Sequence, residues 1–198
     1  MSLNKEPGLL RRCWDIIGKP SAKYSILTLV ACWFIGGILF WGGLHAGLEV
    51  TNSLDFCTTC HEMRDTVYQE YKETIHYSNR SGVRAICSDC HVPKDWYHKI
   101  IRKSQASLEL WGKLTGVIDT KEKFEARRME LAKHEWKRMK DSDSRECRNC
   151  HDFDAMSPEF QKQTPYKKHM QAKQDGKTCI DCHKGIAHQL PAGYEDPD

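Results

Sequence analysis

The chain has 198 residues, 39% hydrophobic and 29% charged, with a formal net charge of +3. That length makes one or two small domains, and so slight a charge points to no nucleic-acid partner. Outside one apolar stretch the chain is too polar and too poor in strand-forming runs to build an ordinary apolar core.

The first element in chain order is a membrane span. From Tyr24 to Leu48 there is no Asp, Glu, Lys or Arg, and "YSILTLVACWFIGGILFWGGLHAG" is rich in Leu, Ile, Val, Phe and Trp. A spanning helix needs about 20 such residues. Upstream, Lys5, Arg11, Arg12, Lys19 and Lys23 outnumber Glu6 and Asp15, which puts the N-terminus in the cytoplasm. The run is too long for a signal-peptide core, and "LHAGLEV" offers no small-x-small cleavage site. The sequence therefore predicts a cytoplasmic basic segment over 1–23, a single uncleaved anchor over 24–48, and a domain over 49–198 in the periplasm of a bacterial inner membrane. His45 falls at the membrane surface. Cys13 and Cys32 take no role, the latter as a small hydrophobe within the span.

Beyond the anchor, eight of the ten cysteines fall into one pattern: Cys57-Thr-Thr-Cys60-His61, Cys87-Ser-Asp-Cys90-His91, Cys147-Arg-Asn-Cys150-His151 and Cys179-Ile-Asp-Cys182-His183. C-x-x-C-H is the attachment signal of c-type haem. Two thiols add across the haem vinyl groups, and the next side chain offers the iron a neutral imidazole nitrogen. Zinc sites have no use for a histidine after every second cysteine. A thioredoxin-like site wants one such motif in a βαβ setting, and structural disulfides need no fixed two-residue gap. Four covalently bound haems c are expected, in a mainly α, haem-packed multihaem cytochrome c domain. Their propionates add negative charge, a further reason to draw nothing from the +3.

The domain is built twice. His61 is followed by His76 and then "GVRAICSDCH"; His151 is followed by His169 and then "GKTCIDCH". This predicts two pseudo-symmetric dihaem halves, with His76 and His169 in equivalent roles. An electron-carrying haem takes His–His or Met–His axial pairs. After the four motif histidines, His76, His169 and His188 are the candidate distal ligands. His134, on a charged helix, is expected to face solvent. The first haem is left with His98, awkwardly spaced, and with Met63, two residues past His61. Which of His61, Met63 and His98 ligates its iron stays open.

"DWYHKIIRKSQASLELWGKL" predicts an amphipathic helix, with Ile100, Ile101, Leu108 and Trp111 against Lys99, Arg102 and Lys103. Its aromatic residues Trp96, Tyr97 and Trp111 suit a membrane interface, and packing on a haem face is the alternative. Gly112, Gly116 and Asp119 mark a break. A longer helix runs from Thr120 to about Lys140, capped by Asp119 with Glu122 three residues on. Its stripe of Phe124, Ala132, Trp136 and Met139 is expected to pack on porphyrin. The tail "LPAGYEDPD" reads as loose.

Over nearly its whole length the chain resembles the NapC/NirT family of membrane-anchored multihaem cytochromes c. The resemblance is carried by "KPSAKYSIL", "CTTCHEMRD", "CSDCHVPKDW", "FEARRMELAKHEWKRMKDSDSRECRNCHDFDAM" and "KTCIDCHKGIAH". It looks most like the NapC branch, which implies electrons drawn from the membrane quinol pool, menaquinol or ubiquinol, and passed to a periplasmic reductase, nitrate reductase favoured. The resemblance also implies His76 as distal ligand of the fourth haem, His188 of the third and His169 of the second. It implies Met63 as ligand of the first, and Lys94, where some members have histidine, favours Met63 further. Quinol oxidation releases two protons and needs a donor to the quinone oxygen and a base. Lys103 and Glu109 on the first long helix can supply these, and they match the region where the family places its quinol site. Competing readings are a passive haem relay that docks a reductase of nitrite or N-oxide type without oxidising quinol itself, and a terminal reductase acting at an open haem.

Overall fold

The computed structural model describes residues 8, 10, 11 and 23–195. Most of the predicted cytoplasmic segment over 1–23, with Cys13, lies outside the described residues. The chain divides into two units between Leu48 and Glu49.

In the first unit the uncharged run forms α1, Ile26–Val50, whose last two residues belong to the second unit. Its 25 residues span about 37 Å at 1.5 Å per residue, more than the roughly 30 Å of a bilayer core. The helix has a mean hydropathy of 1.9 and buries no residue against protein. Trp33, Phe34, Leu39 and Phe40 are all exposed on it, as is Cys32. Near its end Trp41 and His45 meet edge to face at 4.9 Å.

The second unit is helical, with no strand among the described residues. Its elements are α2 (Leu54–Cys57), α3 (His61–Arg64), α4 (Val67–Lys72), α5 (Cys87–His91), α6 (Trp96–Leu114), α7 (Lys121–Asp141), α8 (Arg145–Arg148), α9 (Gln163–Gln174) and α10 (Cys179–Cys182). The cysteine motifs lie on or beside the single turns α2, α5, α8 and α10. Such turns are far too short to persist alone. In α5 and α10 a helical turn sets the two cysteines, three residues apart, on one face. Both of these turns are capped in the same way. Asp89 accepts the Ile86 N–H at 2.9 Å, and Asp181 accepts the Thr178 N–H at 2.9 Å and its hydroxyl at 3.0 Å. The two aspartates occupy the same slot of the second and fourth motifs, so the repeat extends to the caps.

Apart from Pro93 and Pro191, the buried apolar residues are only Tyr71, Phe124, Met139 and Ile180, among the described residues. Glu62, Thr66, Arg128, Ser144 and Glu146 are buried as well. An interior this polar is held by ion pairs. Arg128 of α7 grips Glu70 of α4 with two hydrogen bonds, at 2.7 and 2.5 Å. The same guanidinium donates to the Gln189 carbonyl at 2.9 Å, and the Gln189 N–H returns to Glu70 at 2.9 Å. Ser144, fully buried, accepts the Ile180 N–H at 3.1 Å and so ties the end of α7 to α10. To do this Asp143 and Ser144 both adopt left-handed backbone, φ 52° and 49°, which costs non-glycine residues about 1 kcal/mol each.

The two long helices follow the predicted ranges closely. α6 begins after Asp95, which accepts the His98 N–H at 3.0 Å. α7 is capped by Thr120, not by Asp119 as expected. The Thr120 hydroxyl accepts the Lys123 N–H, while Asp119 is drawn off by the Lys123 ammonium at 2.7 Å. On α7 Phe124 and Met139 are buried, Trp136 is half-buried, and His134 faces solvent. The tail is not loose through Glu195. Pro191 is buried, and the Tyr194 ring lies 4.9 Å from that of Trp136, with the Lys184 ammonium 5.8 Å from both. Pro-rich composition hid an aromatic anchor.

α6 turns its faces the other way from a core helix. Tyr97, Ile101, Leu108, Trp111 and Leu114 are exposed, while Lys99, Arg102, Lys103 and Lys113 are half-buried against the domain. Each inward cation is partnered: Lys99 with Glu49 at 2.9 Å, Arg102 with Glu109 at 2.9 Å, Lys103 with Thr51, and Lys113 with Glu62 at 2.6 Å.

Candidate functional site

The motif turns adjoin in sequence order. α2 packs on α5 and α5 on α8. The Cys57 and Cys87 thiols are in hydrogen-bonding contact, and so are those of Cys147 and Cys179. Because the two thiols of each pair share a proton contact, ionising one makes the other harder to ionise. Burial pushes Cys90 up to about 11. None of the described cysteines is in a disulfide, so the eight motif thiols are available for addition to haem vinyl groups.

Haem fits between the histidines. Two metal–imidazole bonds of about 2 Å on opposite faces of a porphyrin put the ring centroids about 6 Å apart. Three pairs stand at that spacing: His76 and His151 at 6.2 Å, His91 and His188 at 6.1 Å, and His169 and His183 at 6.0 Å. Each joins one motif histidine to one of the three candidate distal histidines.

The partners differ from those expected. His76 faces the third motif and not the fourth; His188 faces the second and not the third; His169 faces the fourth and not the second. Nor are His76 and His169 equivalent, since His76 crosses to the other half and His169 stays within its own. The physical reason for His188 is visible: the Arg128–Glu70 pair holds Gln189, its neighbour, against α4, in the first half of the domain. His61 has no second imidazole opposite it among the described residues. The His98 Nδ1 lies 2.6 Å from Asp95, and its ring meets that of Tyr97 at 5.2 Å. Met63 is exposed, and Glu62 between it and His61 is buried and bound twice by the Lys113 ammonium, at 2.6 Å.

An imidazole must be neutral to bind iron, and burial favours this. It pushes His188 down to about 4, helped by His91, and lowers His76 and His183 as well. On the far side of two rings the Nδ1 atom is held by an acceptor: His91 by Glu135 at 2.7 Å and His169 by Gln161 at 3.1 Å. Each bond leaves Nε2 free to face the partner ring. Burial opposes the charge on Glu135, yet Arg138 and His91 hold it well below the usual carboxylate range. Sequence reading missed Glu135, Glu70 and Arg128, because each acts through a contact distant in the chain, and Gln161, eight residues from His169 with no pattern to mark it. Only Asp89 and Asp181 carried a signal, their shared slot in the repeat.

Lys103 and Glu109 do not share a partner. The Lys103 ammonium donates to the Thr51 carbonyl at 2.9 Å and hydroxyl at 2.8 Å, leaving one N–H uncommitted to these two bonds. Burial lowers its pKa, and Cys57 of the first motif lies within electrostatic range. Glu109 is exposed and paired with Arg102.

Four haem-attachment turns, three facing imidazole pairs and an apolar helix long enough to cross a bilayer define a membrane-anchored electron-transfer cytochrome with covalently bound haem c. Residues 19–193 match the NapC/NirT cytochrome c family, N-terminal region. The chain belongs to that family. It is 57% identical over 183 residues to the denitrification system component NirT of Stutzerimonas stutzeri, covering 92% of this chain and 91% of that one. It is 56% identical over 188 residues to the cytochrome c-type protein NapC of Escherichia coli K12, covering 95% and 94%. A putative tetraheme cytochrome-c type protein of Allochromatium vinosum is 47% identical over 176 residues, covering 89% and 95%. No solved structure matches the chain.

Proposed function

We propose that the chain is a tetrahaem quinol dehydrogenase with its haem domain in the periplasm, passing electrons to a periplasmic reductase, nitrate reductase favoured. The eight motif cysteines attach four haems. His91 with His188, His151 with His76, and His183 with His169 would hold the irons of the second, third and fourth haems, and Met63 would hold that of the first. Haem iron, when bound, supplies one-electron storage at each site. The chain's residues do the rest. They hold the four motifs in contact, in order, so that each site has a near neighbour.

The observation that carries the quinol reading is Lys103 beside the first motif, which itself starts nine residues past Leu48. The remaining ammonium N–H of Lys103 is the donor to the quinone oxygen, and exposed Glu109 takes the proton. The apolar outward face of α6 supports its lying on lipid. Thioether ligation by Met63 raises the potential of the site that first accepts electrons. The similarity to a denitrification system component supports a second acceptor, a reductase of that pathway.

Rapid mixing of the detergent-solubilised protein with menaquinol and ubiquinol analogues tests the reading. Haem reduction by either supports it; reduction by dithionite alone would leave only the passive relay. Glu109→Gln should slow quinol-driven reduction by about 10²-fold, the lower range for a lost proton acceptor, with dithionite reduction unchanged. Intact mass should show four haems added to the polypeptide, and any other number refutes the tetrahaem assignment.

A further inference from the structure

The three facing histidine pairs differ in what binds the back of the ring. A metal-bound imidazole gives one nitrogen to the metal, and the partner of its other nitrogen sets how strongly the ring donates. In the His91–His188 pair that partner is a carboxylate, Glu135 at 2.7 Å. In the His169–His183 pair it is an amide oxygen, Gln161 at 3.1 Å. His76 Nδ1, in the His76–His151 pair, is buried with no hydrogen-bond partner, and so is His188 Nδ1, so in the His91–His188 pair the backing comes from the His91 side alone.

An anionic acceptor draws the ring proton toward itself and leaves the imidazole more basic. A more basic ligand stabilises the oxidised, more positive iron and lowers the reduction potential. A neutral acceptor does less, and an unbonded ring least. Glu135 is held firmly in place, since Arg138 donates to it from Nε at 2.9 Å and from Nη2 at 2.5 Å. Arg138 does not cancel its charge outright, because it is shared with Glu146, 3.7 Å away and with a fully buried side chain. Arg145 adds a second cation, 3.1 Å from Glu146 and 3.8 Å from Asp95.

We propose that Glu135 makes the haem of the second motif the lowest in potential of the three bis-histidine haems, with the Gln161-backed haem of the fourth motif above it and that of the third highest. This rests on the tetrahaem reading and adds an order of potentials to it.

The test uses full-length holoprotein in detergent, poised at a series of potentials and followed by visible and electron paramagnetic resonance spectra. His188→Ala marks the second motif's low-spin signal by abolishing it, and His169→Ala marks the fourth's. In unsubstituted protein, the signal marked by His188→Ala should titrate lowest of the three and that marked by His169→Ala next. Any other order overturns the proposal. Glu135→Gln should raise the midpoint of the second motif's haem while it stays low-spin, leaving the other two unmoved. Unchanged midpoints, or movement of a different haem, overturn the proposal. If Glu135→Gln does not assemble, Gln161→Glu decides: it should lower the fourth motif's haem, and no fall overturns the proposal. A haem count other than four would instead sink the reading beneath it.

Discussion

Replacing His188 with alanine should turn one of the low-spin haems high-spin, and the haem affected should belong to the second motif. The expectation follows from the ring pair at 6.1 Å between His188 and His91. Removing one of two axial imidazoles leaves the iron five-coordinate, so the change at that site should be complete. Double variants identify it. In a chain already lacking Cys87 and Cys90, and therefore the second haem, His188→Ala should create no further high-spin signal. In a chain lacking Cys147 and Cys150, it should still do so. The reverse pattern would restore the third-haem assignment that family resemblance implied. By the same logic His169→Ala should act on the fourth haem.

The second large effect is expected at Arg128. Its side chain is 11% exposed and that of Glu70 is 13% exposed, and nothing else among the described residues offers Glu70 a paired charge. Arg128→Met keeps the bulk of the side chain but strands the carboxylate. Breaking such a pair costs about 3 kcal/mol or more, because the partner is left charged and desolvated. Thermal unfolding of the holoprotein should show this as a lower midpoint than in the unsubstituted chain, and an unchanged midpoint would refute the clamp. The effect depends on pH. Burial opposes the charge on Glu70, but the hydrogen bonds from Arg128 and the Gln189 N–H hold its pKa below the ordinary 4.5. A depressed carboxylate stabilises the fold above its unfolded pKa, and that contribution fades as pH falls through the folded value. The unsubstituted protein should therefore lose stability only below about pH 4.5 on this account, whereas in Arg128→Met the penalty is carried by the charged carboxylate, so the deficit should be largest at neutral pH and shrink as Glu70 takes up a proton.

Much of the architecture was legible because its signals are local. An uncharged run of 25 residues is long and apolar enough for a helix that crosses a bilayer, and C-x-x-C-H fixes chemistry within five residues. The bounds of α6 and α7 followed from periodicity, although the cap of α7 moved one residue when Lys123 claimed Asp119. The three candidate distal histidines stood out too, since few others remained, and each lies about 6 Å from a motif histidine. Their partners were not, because which half His76 or His188 joins depends on how the chain folds back across more than sixty residues. Symmetry misled here. It made His76 and His169 twins, but the Glu70–Arg128–Gln189 clamp pulls the C-terminal loop onto the first half, whereas α9 is tied through Lys173 to Asp154 in its own half.

The small set of buried apolar residues has a consequence for how the protein is made. A chain with so small an apolar interior gains little from collapsing before its prosthetic groups arrive. Ligands that bind only the folded state stabilise it by mass action, and here they are covalent. An unloaded chain would thus remain open to proteases, and its half-life would be set by how quickly thioether bonds form. Cellular abundance of this cytochrome should then track the supply of haem and not the rate of translation.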